Sequence, residues 1–485
     1  MIRRATTALL LAALPFPALA SPVRVGVPLP PTPAGTAVIG GPLGGTAYAE
    51  PQSVHPGAAV QPAWWHAFAN PTLDALVDKA LAANADISAA TANLRQAHEL
   101  AGAARGVLFP QVDAGYSVER QRVSGTLSSP LVDPLPAVFS LHTAQVSIAY
   151  SLDLFGGNAA HIRSARAAER ATAARLQGVR NIVSGNVVLA VIQNAGLEAQ
   201  AATTRAAIDS NRTILRLLKA REALGAAGKS DVAAQEAALA AAEAALPPIE
   251  RARLANLASL DVLLGQAPGS ALPALPSLDD LTLPGELPLS LSSDLLVQRP
   301  DIAAAAEAME GAAADAKAAM AARLPSITLS AAAGGAARDF GQMFRDGNPF
   351  WTLIGGLAAP LFHGGALRHQ QKAAEAALDG AKAGYRAVAL QAFADVSNAL
   401  GALTSDAATL DAAARADKAA QDSLGFTKRK LELGSAGTFD VLNAGAMAQA
   451  ARSQFFAART MRLSDTVGLF TALGGGVSLR GGAPQ

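Results

Sequence analysis

The chain contains no cysteine, which excludes disulfides, thiolate metal centres and cysteine nucleophiles. Charge is sparse as well. Asp, Glu, Lys and Arg make up 16% of the 485 residues and nearly cancel, leaving a formal net charge of +1. That balance provides no electrostatic footprint for nucleic acid. Aromatic residues are only 5%, although hydrophobic residues reach 51%. Much of that fraction is Ala, the best helix former and the smallest side chain that still defines a helix face, so the composition suits long, closely packed helices. Beyond the first twenty residues no run of eighteen or more Leu/Ile/Val/Phe-type residues occurs. A helical membrane span is therefore not expected, and any membrane-crossing part should be built from strands.

Chemistry-bearing patterns are equally scarce. His55, His66, His98, His142, His161, His363 and His369 show no zinc-like spacing. Nothing resembles a phosphate loop or a nucleophile elbow. The expectation is a protein that is not an enzyme, with no catalytic residue, no cofactor and no metal site.

Residues 1–20 read as a signal peptide: Arg3 and Arg4, an apolar core from Ala8 to Leu14, and Ala18-Leu19-Ala20 before Ser21. Residues 21–60 are rich in Pro, Gly and small side chains and read as an irregular leader. A first repeat then spans 61–265. It opens with two helices, near Pro71 and from Asn84 or Asp86 to about Arg105. Two runs of alternating residues follow between about 110 and 154: Val112, Ala114, Tyr116 and Val118, then Val146, Ile148, Tyr150 and Leu152. Period two gives one apolar and one polar face, and each run is about 10 residues, the length of a tilted membrane-crossing strand. Residues 158–264 read as a pair of long helices broken at Gly225 to Ser230, with Pro247-Pro248 expected to kink or interrupt the second. Residues 266–300 form a Pro- and Leu-rich linker.

The order then recurs over 301–474: a helix, two alternating runs within about 325–361, and a second long helix pair over about 365–473, leaving a tail from 475 to 485. Gly225-x-x-Gly228-x-x-Asp231-Val232 matches Gly434-x-x-Gly437-x-x-Asp440-Val441, and Leu264-Gly265 matches Leu473-Gly474, both at an offset of 209. Several matches in one order indicate an internal duplication. Four amphipathic strands are too few to close a barrel, so a membrane reading requires several copies. A soluble hairpin pair on a coiled-coil rod fits the same periodicity.

The order of strands and long helix pairs, together with Trp64-Trp65, Phe68, Leu73, the segment Leu296-Val297-Gln298-Arg299-Pro300-Asp301-Ile302, Pro360-Leu361-Phe362-His363-Gly364-Gly365 and Asp440-Val441-Leu442-Asn443-Ala444, resembles the TolC-type outer-membrane efflux family, and most closely its NodT-like branch. The resemblance covers about residues 60–475. It implies a mainly α fold with a small transmembrane β part: a trimeric α/β barrel with four strands and long helical hairpins per chain. It further implies a homotrimer in contact with outer-membrane lipids, a long periplasmic extension, a periplasmic adaptor and an RND-type inner-membrane pump. The function expected is a passive exit duct for small hydrophobic or amphipathic compounds. An exit duct for secreted proteins or metal ions, and a non-channel coiled-coil envelope protein, are the alternatives. The branch carries a lipid-bearing cysteine after its signal; without one, the strands alone are expected to hold the duct. A tyrosine and an arginine that lock the tip in a relative align with Leu431 and Ala436, so that lock is expected to be absent or different.

On this reading Gly225, Gly228, Asp231, Gly434, Gly437, Asp440 and Asn443 mark the periplasmic tip and gate. The glycines are expected to supply the positive φ of a tight reversal, and the aspartates to start, or cap, the returning helices. Three copies of Asp440 could form an acidic ring that favours cations, with Asn443 one turn along on the same face. Gln298, Arg299, Pro300 and Asp301 are expected to be structural, with Pro300 in a first helical turn, Asp301 at the positive helix end and Arg299 paired locally.

Overall fold

The computed structural model describes residues 41–43, 51–56, 58, 60–122, 138–289 and 299–476. The signal-peptide segment, most of the leader, the tip of the first strand-to-strand loop, Gln298 and the end of the tail lie outside the described residues.

Asn70 starts the helical part: its side chain accepts the Leu73 N–H at 3.0 Å, and Pro71 occupies the first turn of α1 (Pro71–Ala83). Pro costs nothing there because that N–H has no helical partner. Asn84 ends α1 and caps α2 (Ala85–Arg105) through the N–H groups of Asp86 and Ile87. The chain next forms strands β3 (Gln111–Arg122) and β4 (Val138–Leu152), then α3 (Gly157–Ala223) and α4 (Lys229–Leu263). The second half repeats this with α5 (Pro300–Ala321), β6 (Ser326–Ala337), β7 (Pro349–Ala358), α6 (Ala366–Glu432) and α7 (Thr438–Ala472). The duplication extends to the residue: α3 and α6 are each 67 residues long, α4 and α7 each 35, and every bound is displaced by 209. At ~1.5 Å per residue the longer helices reach ~100 Å.

β3, β4, β6 and β7 form one antiparallel sheet in that order. A second sheet was not legible in the sequence. Strands β1 (Gly41–Leu43) and β2 (Gln52–Pro56) lie in the stretch read as irregular, and β2 pairs in parallel with β5 (Glu286–Leu289) from the linker. Strands of three to five residues carry too little alternation to register as a period. Gln52 ties this sheet to α7: its Nε2 donates to Pro284 O at 2.9 Å and to Thr466 Oγ1 at 3.3 Å.

The main core lies beside this second sheet, where α1 packs on the middle of α3 and the end of α7 contributes to the same cluster of buried side chains. Trp64 stacks on Phe470 with ring centroids 5.2 Å apart, and Phe68 and Leu73 are fully buried. A stretch of α3 is long and apolar enough to cross a bilayer, but most of it is covered by neighbouring helices.

Of the kink or interruption expected at Pro247-Pro248, the interruption does not occur: α4 runs through both prolines. Each proline withdraws one helical hydrogen bond; on either side of them the ion pairs Arg212–Glu243 at 2.7 Å and Arg205–Glu250 at 3.0 Å link α4 to α3.

Candidate functional site

The four-stranded sheet has two chemically distinct faces. In the strand register, Val112 lies opposite Ile148, which lies opposite Ala331, which lies opposite Leu353. Tyr116, Val146, Tyr150, Leu329, Trp351 and Leu357 share that apolar face, and Trp351, Leu353 and Leu357 are each more than 70% exposed. The other face carries Asp113, Ser117, Glu119, Gln145, Ser147, Thr328, Ser330 and Thr352. Edges β3 and β7 have no partner strand among the described residues. An apolar face with open edges is unstable in lipid unless further strands complete the ring.

At the far ends of α3 and α6 the chain reverses in the same way twice. Gly225 (φ 71°) and Gly434 (φ 74°) take the left-handed conformation. Gly225 N–H donates to Glu222 O and Ala226 N–H to Arg221 O, both at 2.8 Å; Gly434 and Ser435 repeat this onto Leu431 and Lys430. This double bond pattern closes a helix on a left-handed glycine and satisfies carbonyls that would otherwise be unpaired. Leu224 and Leu433, just before these glycines, are 84% and 78% exposed.

The second glycines behave differently from the expectation. Gly228 (φ −81°) and Gly437 (φ −86°) are extended N-caps, not positive-φ residues. Asp231 and Asp440 are not N-caps either; they lie three residues further on and reach back. Asp231 Oδ2 accepts the Gly228 N–H at 3.2 Å, and Asp440 Oδ2 accepts the Gly437 N–H at 2.8 Å. This is the acidic half of a capping box; glycine supplies no side chain for the other half. Both aspartates and Asn443 are exposed. Between the two helix pairs, near their tips, runs a groove of about 800 Å³ lined by Asn211, Ile214, Ala242, Leu424, Val441 and Arg452. The two tips therefore stand side by side.

Arg299 is a junction. Its Nε and Nη2 donate to the Asp301 carboxylate at 3.1 and 2.7 Å, Nη2 also reaches Asp395 at 3.0 Å, and Nη1 donates to Ala472 O at 2.7 Å. One guanidinium thus joins the start of α5, the side of α6 and the carboxyl end of α7. Pro300 occupies the first turn of α5, and Asp301 Oδ1 accepts the Ile302 N–H at 2.9 Å. The local pairing was expected; Asp395, 96 residues away, has no sequence signal. Asn84 and Asn181 do similar work, donating to Leu263 O and Thr471 O at the ends of α4 and α7.

Sequence reasoning also missed a carboxyl pair where α6 meets α7. The Asp406 carboxyl lies beside that of Asp465. Burial first, and then that neighbour, push the Asp406 carboxyl up to about 7, with the Arg462 guanidinium opposing the shift.

A sheet too small to close alone, carried on helices ~100 Å long whose turns stand together at the opposite end, defines one subunit of a trans-envelope duct. Comparison with known proteins places that class. The family described as "outer membrane efflux protein" matches residues 76–266 and 291–475. The pyoverdine export outer membrane protein OpmQ of Pseudomonas putida is 33% identical over 425 residues, covering 85% of this chain and 88% of that protein. The probable efflux pump outer membrane protein TtgC of Pseudomonas putida is 31% identical, covering 89% and 88%. The crystal structure of the outer membrane protein VceC of Vibrio cholerae superposes with a TM-score of 0.77 at 26% identity, covering 86% of this chain and 99% of that one. The chain belongs to the outer membrane efflux protein family, and its place is the outer membrane.

Proposed function

We propose that three copies of this chain form the outer-membrane exit duct of a tripartite efflux pump. The observation that carries the reading is the four-stranded sheet with one apolar face, one polar face and two open edges. Three such sheets supply twelve strands, enough for a barrel with a lumen. The apolar face with Trp351 and Leu353 then meets lipid, and the face with Ser117, Thr328 and Ser330 lines the pore. α3, α4, α6 and α7 continue the passage across the periplasm. A periplasmic adaptor docks at the side-by-side tips, and through it an RND-type inner-membrane pump supplies the energy.

The cargo class is small hydrophobic or amphipathic compounds. Relatives named for pyoverdine export and for efflux pumps support small cargo. In this reading the residue ranges of the two repeats are the two structural modules of each subunit, and Gly225, Gly228, Asp231, Gly434, Gly437, Asp440 and Asn443 form the gate region. The test is reconstitution of the purified protein in planar bilayers together with crosslinking of adaptor to cysteines placed at Gly228 and Gly437. Stepwise conductance and adaptor crosslinks at both tips are expected. A protein extracted without detergent that shows no conductance removes the duct reading.

A further inference from the structure

Where the helices meet the sheet, apolar and basic residues form two adjoining bands. The apolar residues follow the strands directly in the chain, Leu154 and Phe155 after β4 and Leu361 and Phe362 after β7. Leu361 and Phe362 are 94% and 87% exposed, and their counterparts in the first repeat, Leu154 and Phe155, are exposed as well. Burying such a pair contributes about 25 cal/mol per Å², and the described residues provide no cover for it.

The charge beside this band is one-sided. Across the four segments that flank the inner strand ends, residues 101–110, 153–162, 316–325 and 359–368, the cations are Arg105, Lys317, Arg323 and Arg368, and the only carboxylate is Asp153. Asp153 is already engaged, accepting the N–H groups of Asn158 and Ala159 at 3.1 and 2.8 Å. None of the four cations forms an ion pair among the described residues; Arg323 donates to the neutral Gln371 at 2.5 Å. Lys317 Cε lies 3.9 Å from where a side chain on Gly156 would begin, which puts its ammonium stem beside the Leu154-Phe155 turn. Between the repeats these turns enclose a cleft of about 530 Å³ lined by Phe155, His161, Leu324, Pro360, His363 and Leu367. The outer strand ends are different, mixing Arg120, Arg122 and Arg338 with Glu119 and Asp339.

Resting on the outer-membrane duct reading, we infer that this inner rim is a binding surface for anionic phospholipids of the periplasm-facing leaflet. Acyl chains pack on Leu154, Phe155, Leu361 and Phe362, and the headgroup phosphate is held by Lys317, Arg323 and Arg368 at the mouth of the cleft. The position of the apolar residues directly after β4 and β7 selects lipid as the occupant. The excess of cations selects a negative headgroup over a zwitterionic one, because each Lys or Arg beside an anionic leaflet adds attraction that falls off with salt.

The test is lipid retention by the full-length protein, read by native mass spectrometry after exposure to mixed micelles holding equal phosphatidylglycerol and phosphatidylethanolamine. Preferential retention of phosphatidylglycerol, weakened by high salt, is expected. The variant K317Q/R323Q/R368Q should lower that retention about fivefold per cation removed, while R120Q/R122Q at the outer end should not change it. Equal retention of the two lipids by the unaltered protein, or a preference that survives in the rim variant, overturns the inference. If the triple variant does not assemble, K317Q alone and the salt dependence of the unaltered protein decide the question. Conductance is recorded on the same samples: a protein that conducts without lipid preference defeats this inference only, whereas one that does not conduct defeats the duct reading.

Discussion

Asp440 Oδ2 accepts the backbone N–H of Gly437 at 2.8 Å, so the residue proposed to line the gate also fastens the start of α7. The two roles separate by substitution. Asp440→Asn keeps an acceptor oxygen and removes the charge; Asp440→Ala removes both. Helix-start stability should drop by about 1 kcal/mol in the alanine variant and by less in the asparagine variant, read as hydrogen-exchange protection of the first turn of α7. Cation-over-anion permeability in planar bilayers should fall in both. If permeability holds in Asp440→Asn, the acidic ring has no part in selection and the carboxylate is only a cap.

The glycines of each tip should differ in tolerance. Gly225 and Gly434 sit at φ 71° and 74°, where any Cβ is strained, by roughly 1–2 kcal/mol. Gly437 is extended, and an added Cβ would find only the Asp440 carboxylate, at 3.6 Å. Gly434→Ala should therefore cost more thermal stability than Gly437→Ala. Equal melting shifts for the two would show that the turn relaxes out of the left-handed conformation.

Much of this architecture is readable in the chain itself, and the reason is redundancy. Helix ends signalled by Leu-Gly at 224–225, 264–265, 433–434 and 473–474 all close on a left-handed glycine, and each half corroborates the other. The membrane strands are legible because one face must be apolar over a full bilayer crossing. What stays hidden is whatever depends on a distant partner. Asp395 looks like any helix carboxylate until Arg299 is beside it. Asp406 and Asp465 carry no pattern, since their proximity is set by the packing of α6 on α7. The turn glycines mislead for a local reason: a Gly-x-x-Gly spacing does not say which glycine holds the positive φ.

Arg299 should be irreplaceable by lysine. Its planar fork engages Asp301 twice while a second arm reaches Ala472 O, and an ammonium cannot reproduce that geometry. Arg299→Ala removes the cation beside Asp301 and Asp395 and the donor to Ala472 O at the end of α7, and should cost about 3 kcal/mol. Arg299→Lys should recover less than half of that, measured as the midpoint of heat dissociation of the assembled protein. Full recovery by lysine would mean that charge alone matters there.

The two sheet faces make opposite predictions for the same substitution. Leu353→Arg places a cation on the apolar face near the middle of β7, at a cost of about 2–4 kcal/mol in a bilayer, and should reduce the amount of protein assembled in outer-membrane fractions. Ser330→Arg lies on the polar face and should assemble normally while lowering cation conductance. Normal assembly of Leu353→Arg would reverse the assignment of the faces.

The carboxyl pair at the junction of α6 and α7 gives the fold a pH dependence of defined sign. Asp406 holds its proton in the folded chain up to about 7, against 3.8 for an ordinary aspartate. Between those values the folded chain binds more protons than the unfolded one, so stability falls as pH rises. The contribution is complete below about pH 4, is lost progressively up to about pH 7, and is flat beyond. Asp406→Asn fixes the neutral form and should flatten the decline of melting temperature across that window, leaving the variant more stable than the natural chain at neutral pH. Asp465→Asn should act in the same direction by removing the neighbour that raises Asp406, though burial keeps part of the shift. A melting temperature that declines equally between pH 4 and 7 in all three proteins would show that Arg462 offsets the burial and the neighbouring carboxylate, and that Asp406 does not set the pH dependence.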